Sequence, residues 1–217
     1  MMKYMAFALL AVCTLVLTAC GTPATQQATQ GSYATITDDN GRTVSFDKKP
    51  ERIVVTSASF LEPLYAVGGT VVGRPDSKSK IPEVAKSATN IGRVYQIDAE
   101  KVLALTPDLV ILNRGMNEKL VETLAANNVK TLVLDMKSYA DVKREIGIFA
   151  TLTGEKAKGD ELIQKMDADI AAVRASIPQE KKRVAIIHST GQGLSVQLDG
   201  SIAGSIANML GWENTAA

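Results

Sequence analysis

Cysteine is almost missing from this 217-residue chain. Cys13 and Cys20 both fall within the first twenty residues. Past Cys20 no disulfide can form, and neither thiol catalysis nor a thiolate metal site is available. Histidine occurs once, as His188, too alone for a metal triad. Aromatic residues make up only 5% of the chain, which does not favour a crowded aromatic pocket. Charge of one sign is not in excess either. The 24 basic and 23 acidic residues leave a formal net charge of +1, so no basic surplus exists to grip nucleic acid. No Gly-x-Ser-x-Gly elbow is present, and no glycine-rich phosphate loop follows a strand.

What is there begins at the N-terminus. Lys3 precedes an almost wholly apolar run from Ala6 to Leu17. It is shorter than the roughly 20 residues of a membrane-spanning helix, and reads as a secretory signal. It ends in Leu17-Thr18-Ala19-Cys20, which resembles the lipobox of bacterial lipoproteins. Residues 1–19 are then a signal peptide, and Cys20 carries a lipid that anchors the chain to a membrane. The alternative is a plain signal peptide that happens to contain a cysteine. Residues 20–32, rich in Thr, Gln, Ala and Gly without apolar period, read as a flexible tether.

The body alternates strands and helices. Ala34 to Phe46 is an alternating hairpin turning at Asn40-Gly41. Arg52–Ser57, Val71–Gly73, Leu109–Leu112 and Lys130–Leu134 read as strands, with helices over Phe60–Val67, Asp98–Leu105 and Met116–Ala126. This rhythm implies a parallel sheet covered on both faces, an α/β fold. Tyr139–Leu152 and Glu155–Ile177 follow as helices, the second with an apolar stripe at Leu162, Ile163, Met166, Ile170, Val173 and Ile177. Strand patterns return at Arg183–His188 and Leu194–Leu198, before a helix over Ser201–Leu210 closed by Gly211. Two strands and one helix fall short of a second core, so either this last unit is incomplete or it is unusually small.

Several stretches resemble, in order, the solute-binding proteins of iron-siderophore, haem and cobalamin ABC importers. They are Ile36–Val44 with Pro50-Glu51-Arg52-Ile53-Val54, then Leu61-Glu62-Pro63-Leu64 before Gly68-Gly69. Ile91-Gly92 with Asp98-Ala99-Glu100, Leu103–Val110 and Met209–Asn214 complete the set. The resemblance implies two Rossmann-like lobes with parallel sheets, joined by one long helix, with the ligand between them. The expected division is an N-terminal lobe over 33–154, an interlobe helix over 155–177 and the start of a C-terminal lobe over 178–217.

In an open parallel sheet, ligands lie beyond the carboxyl ends of the strands. That selects Ser57, Ser59 and Phe60 after the first strand, Arg74 after the second, and Asn113 and Arg114 after the third. Arg93 and Tyr95 enter from the same edge. Each is equally a solvated loop residue if no ligand comes. By the resemblance, the loop holding Tyr95 presents a ligand-contacting side chain, and its phenolate is a possible axial ligand if the cargo is haem. A guanidinium such as that of Arg114 pairs bidentately with carboxylates. His188, at the end of a strand in the second unit, either faces the cleft or is a hydrogen-bonded strand residue. The resemblance also gives Glu62 a place on the outer surface, pairing with arginines of the permease.

The reading is a binding lipoprotein and not an enzyme. It expects a monomer that captures an iron complex, ferric siderophore before haem, and hands it to a permease and its ATPase. It expects no nucleic-acid partner and no covalent cofactor besides the lipid on Cys20. Cobalamin binding, a bilobal metal-chelatase-like enzyme and a non-functional fragment are the competing readings.

Overall fold

A computed structural model describes residues 31–216 except 179, 181 and 192. The signal peptide, Cys20 and most of the tether lie outside the described residues. Among the described residues no helix is long and apolar enough to cross a membrane.

Strands β1 (Ala34–Thr37) and β2 (Thr43–Phe46) pair antiparallel, with Gly41 in the left-handed region at φ 74°. The hairpin is held by a residue the apolar pattern does not mark. The buried Asp38 carboxylate accepts from the Arg42 guanidinium at 2.6 Å and from the backbone N–H groups of Asn40, Arg42 and Val133. Its pKa lies below the ordinary value: burial alone would raise it, but the Val133 and Arg42 hydrogen bonds outweigh that.

The main sheet contains β3 (Ile53–Val55), β4 (Gly73–Asp76), β5 (Thr89–Arg93), β6 (Gln96–Ile97), β7 (Leu109–Asn113) and β8 (Lys130–Leu134). Its order is β6-β5-β4-β3-β7-β8, parallel throughout except for the antiparallel β5–β6 hairpin. Alternate residues of the strands feed opposite cores, as the period of two requires. Ile53, Val55, Leu109, Ile111, Leu132 and Leu134 face a core closed by Leu61, Leu64, Ile146, Phe149 and Ala150. Val54, Val110, Leu112 and Val133 face another with Ile91, Val102, Leu120 and Leu124. Helices α1 (Leu61–Ala66) and α4 (Tyr139–Thr153) thus cover one face, and α2 (Ala99–Ala104) and α3 (Leu120–Ala126) the other.

Chain punctuation follows capping chemistry. Asp98 caps α2 by accepting from the Lys101 amide at 3.0 Å. Ser138 and Asp141 form a reciprocal capping box on α4, and Gly154 ends it at φ 74°. Helix α5 (Lys156–Ser176) then runs for 21 residues, about 32 Å at 1.5 Å per residue. Leu162, Ile163 and Met166 pack on the first core, whereas Val173 is half exposed. The apolar stripe therefore continues past the core it packs against.

Three expectations need correction. The second strand lies at Gly73–Asp76 and not Val71–Gly73, because its pairing with β5 runs on through Arg74 and a bulge to Asp76. Helix α3 begins at Leu120 and not Met116. The Asn113 carbonyl is taken by the Asn117 amide, and Gly115 is left-handed, so 114–119 form a loop. The later strands do not form a parallel run. The Arg183–His188 pattern divides into β9 (Arg183–Val184) and β10 (Ile187–Thr190), and β10 pairs antiparallel with β11 (Gly193–Val196). Only β9 is parallel, to β12 (Glu213–Asn214), with helix α6 (Ile202–Met209) between them in sequence.

Candidate functional site

The carboxyl ends of β3, β7 and β8 meet the β5–β6 hairpin at one edge of the sheet. Thr56, fully buried, ties two of them: its hydroxyl donates to the Ile111 carbonyl at 3.3 Å and accepts the Asn113 amide at 3.0 Å. The Arg114 amide donates to the Leu134 carbonyl at 2.9 Å, bringing in the end of β8. Ser57 begins the short turn after β3 and accepts the Ser59 amide; Ser57 is buried and Ser59 exposed.

The β5–β6 turn is tightly specified. Arg93 pairs with Gln96, so Val94 and Tyr95 form a two-residue connection. Gly92 has φ 107°, and a Cβ there would sit 2.6 Å from the Gln96 carbonyl oxygen, so only glycine fits. Its amide donates to the Asn90 side chain at 2.9 Å. At the tip, Tyr95 is 75% exposed, and Arg93 and Arg114 are exposed as well. The edge therefore offers an aromatic phenol, two guanidinium groups and hydroxyls, a set suited to an anionic or chelate-bearing ligand.

Not every candidate belongs to this edge. Phe60 is fully buried and meets Phe149 edge-on, so it is a core residue and not a ligand contact. Arg74 sits within β4 and not after it. Its guanidinium donates to the carbonyls of Ala85 at 2.9 Å, Pro75 at 3.2 Å and Lys86 at 3.4 Å, bracing the turn over 83–87. His188 is not at a strand end: it lies within the antiparallel β10–β11 ribbon, opposite Ser195, and is exposed. It lines an open depression of about 920 Å³ with Met136, Lys137, Val196, Ser201 and Ile202, which Tyr95 and Arg114 do not line. Glu62 is exposed in the first turn of α1, on a separate polar hollow of about 540 Å³ rimmed by Arg74, Asp76, Lys80 and Lys86.

One residue of this edge is not marked by any sequence pattern. Asn117 is buried, and its side-chain amide donates to the Val94 carbonyl at 2.8 Å, joining the loop after β7 to the tyrosine-bearing turn. Read as part of a helix over Met116–Ala126, it looks like an ordinary polar position.

Residues 53–217 match the model of a family described as periplasmic binding protein. The chain belongs to that family. Among relatives, it is 25% identical over 226 residues to an uncharacterized ABC transporter substrate-binding lipoprotein, YvrC of Bacillus subtilis, covering 97% of this chain and 72% of that one. It is 28% identical over 194 residues to the Fe(3+) dicitrate-binding periplasmic protein FecB of Escherichia coli, covering 85% and 63%. The fold matches the crystal structure of Staphylococcus aureus SirA complexed with staphyloferrin B, with a TM-score of 0.69 at 21% identity, covering 84% of this chain and 64% of SirA. The chain thus spans between about three fifths and three quarters of these proteins. Such proteins bind solutes and are not enzymes, in agreement with the reading of this chain as a non-enzyme.

Proposed function

We propose that this chain is the ligand-binding part of an ABC importer's substrate-binding lipoprotein. It captures an iron complex, a ferric siderophore in preference to haem, and delivers it to a membrane permease and its ATPase. The observation that carries the reading is the convergence of exposed Tyr95, Arg93 and Arg114 with Ser57 and Ser59 at the carboxyl edge of a parallel sheet. Ferric siderophores and haem both present carboxylate or other anionic oxygen donors, which guanidinium groups recognise bidentately. Similarity to proteins named for ferric dicitrate and crystallised with staphyloferrin B supports the same class. In this reading residues 33–154 form the first lobe, 155–177 the interlobe helix and 178–217 part of a second lobe. Residues 1–19 are removed as a signal peptide, and a lipid on Cys20 keeps the monomeric protein at the membrane through the 20–32 tether. Glu62 meets the permease from outside the ligand edge.

The test is direct. Titration with ferric citrate, ferric siderophores, haemin and cobalamin should quench Trp212 and tyrosine fluorescence for an iron complex. Quenching by none of them overturns the proposal, and quenching by cobalamin alone reassigns the ligand.

A further inference from the structure

The turn that carries Tyr95 is held by a buried side chain whose own hydrogen bonding is incomplete. Asn117 is 2% exposed. Its backbone amide donates to the Asn113 carbonyl at 3.1 Å, and Asn113 in turn donates to Thr56, so Asn117 is fixed to the ends of β3 and β7. From there its side-chain amide reaches across to the Val94 carbonyl at 2.8 Å. The Asn117 Oδ1 is buried and has no hydrogen-bond donor among the described residues.

An unpaired buried acceptor is unfavourable, and a residue needed only to fill space would be better apolar. The geometry requires the donor half of the amide, because the target is a main-chain carbonyl in the turn. An aspartate of the same shape could not supply it when ionised. The Asn90–Gly92 bond and the Asp98 amide on the Ile91 carbonyl lie at the base of this hairpin, and its strand pairings, Arg93 with Gln96 and with Asp76, stop short of Val94 and Tyr95. Asn117 alone among these contacts reaches its tip.

We infer that Asn117 is a positioning residue: it fixes the height of the Val94–Tyr95 turn over the strand ends and so sets where the Tyr95 phenol and the Arg93 guanidinium stand. The inference rests on the reading of this edge as the ligand site, and its test separates the two. Protein labelled with 3-fluorotyrosine gives a resonance for Tyr95 that disappears in Tyr95→Phe. Asn117→Asp should shift or broaden that resonance while those of Tyr33, Tyr65 and Tyr139 stay in place. Asn117→Ala provides the same measurement if the aspartate variant folds poorly. With haemin as probe, both variants should bind about tenfold more weakly than the parent, in keeping with one lost hydrogen bond of about 1.4 kcal/mol. An unmoved Tyr95 resonance overturns the inference, as does a uniform shift of all the tyrosines, which is general loosening. A parent protein that binds a ferric siderophore but not haemin leaves the proposed function standing, one that binds no iron complex overturns it, and in both cases the fluorine spectrum alone decides the role of Asn117.

Discussion

Phe60 stands edge-on to Phe149, with ring centroids 6.2 Å apart and planes at 78°. Neither ring is exposed, so the contact locks the turn after β3 to helix α4. Phe60→Ala should lose about 3–5 kcal/mol of stability, from the transfer and cavity costs of removing a buried aromatic. Urea denaturation measures this. Phe60→Leu should keep ligand affinity within about twofold once folded. A large affinity loss without a stability loss would return Phe60 to the ligand site.

Glu145 gives a second prediction. It lies within α4, fully buried, and neither carboxylate oxygen has a hydrogen-bond partner among the described residues. Burial pushes its pKa up to about 8 from 4.5, with Asp39, Asp141 and Asp135 adding to the rise and Arg144 opposing it. Between those two values the unfolded chain releases a proton that the folded one keeps. Stability is therefore fully present below about pH 4.5 and is lost as pH rises through about 8. Glu145→Gln should remove that slope. It should raise stability by a few kcal/mol at pH 8 and change little at pH 4. Melting curves across this range test it, and a variant that parallels the parent at every pH contradicts it.

Asp38 acts in the opposite direction. Its lowered pKa supplies stability above the ordinary carboxylate range, which is lost as pH falls through the folded value. Asp38→Asn should cost about 3 kcal/mol at neutral pH, because it leaves Arg42 and the Val133 amide without their anionic partner. Amide exchange should show β1 and β2 opening before β7 and β8; uniform exchange would show that Asp38 has no special hold on the hairpin.

Two substitutions separate ligand capture from docking. Tyr95→Phe should change the absorption spectrum of bound haemin if the phenolate meets iron, and an identical spectrum removes that role. Glu62→Arg should leave ligand affinity untouched and impair uptake by cells, since Glu62 lines a hollow that Tyr95 and Arg114 do not line. Weaker ligand binding by Glu62→Arg would contradict the docking role.

The parts of the fold legible in the sequence are those where chemistry is local. Asp98 before α2, Gly154 after α4 and the Asn40-Gly41 turn are marked by residue types that suit only a few backbone conformations. The β-branched strands β3, β7 and β8 are equally plain, because both their faces are buried. Strand β5, Thr-Asn-Ile-Gly-Arg, shows neither alternation nor an apolar run. It is a strand because β4 pairs with it, an interaction made at a distance along the chain. Arg74, Asp38 and Asn117 escape for the same reason. Each is a polar residue whose partner is a main-chain group that only the finished fold brings near. The ribbon of β10 and β11 is misread because its apolar residues suit a buried parallel strand, yet Leu194 is 75% exposed.

The hairpin between Gly92 and Asp98 separates two kinds of freedom. Among the described residues, the hydrogen bonds that hold it reach main-chain atoms, those of Ile91, Gly92 and Val94 and the strand pairings at Arg93, and none involves the side chain of Arg93 or Tyr95. Both exposed positions can therefore change identity without disturbing their own support. A lineage, or a randomised library at positions 93 and 95, can explore new cargoes on an unchanged scaffold, and recognition can diverge faster than fold.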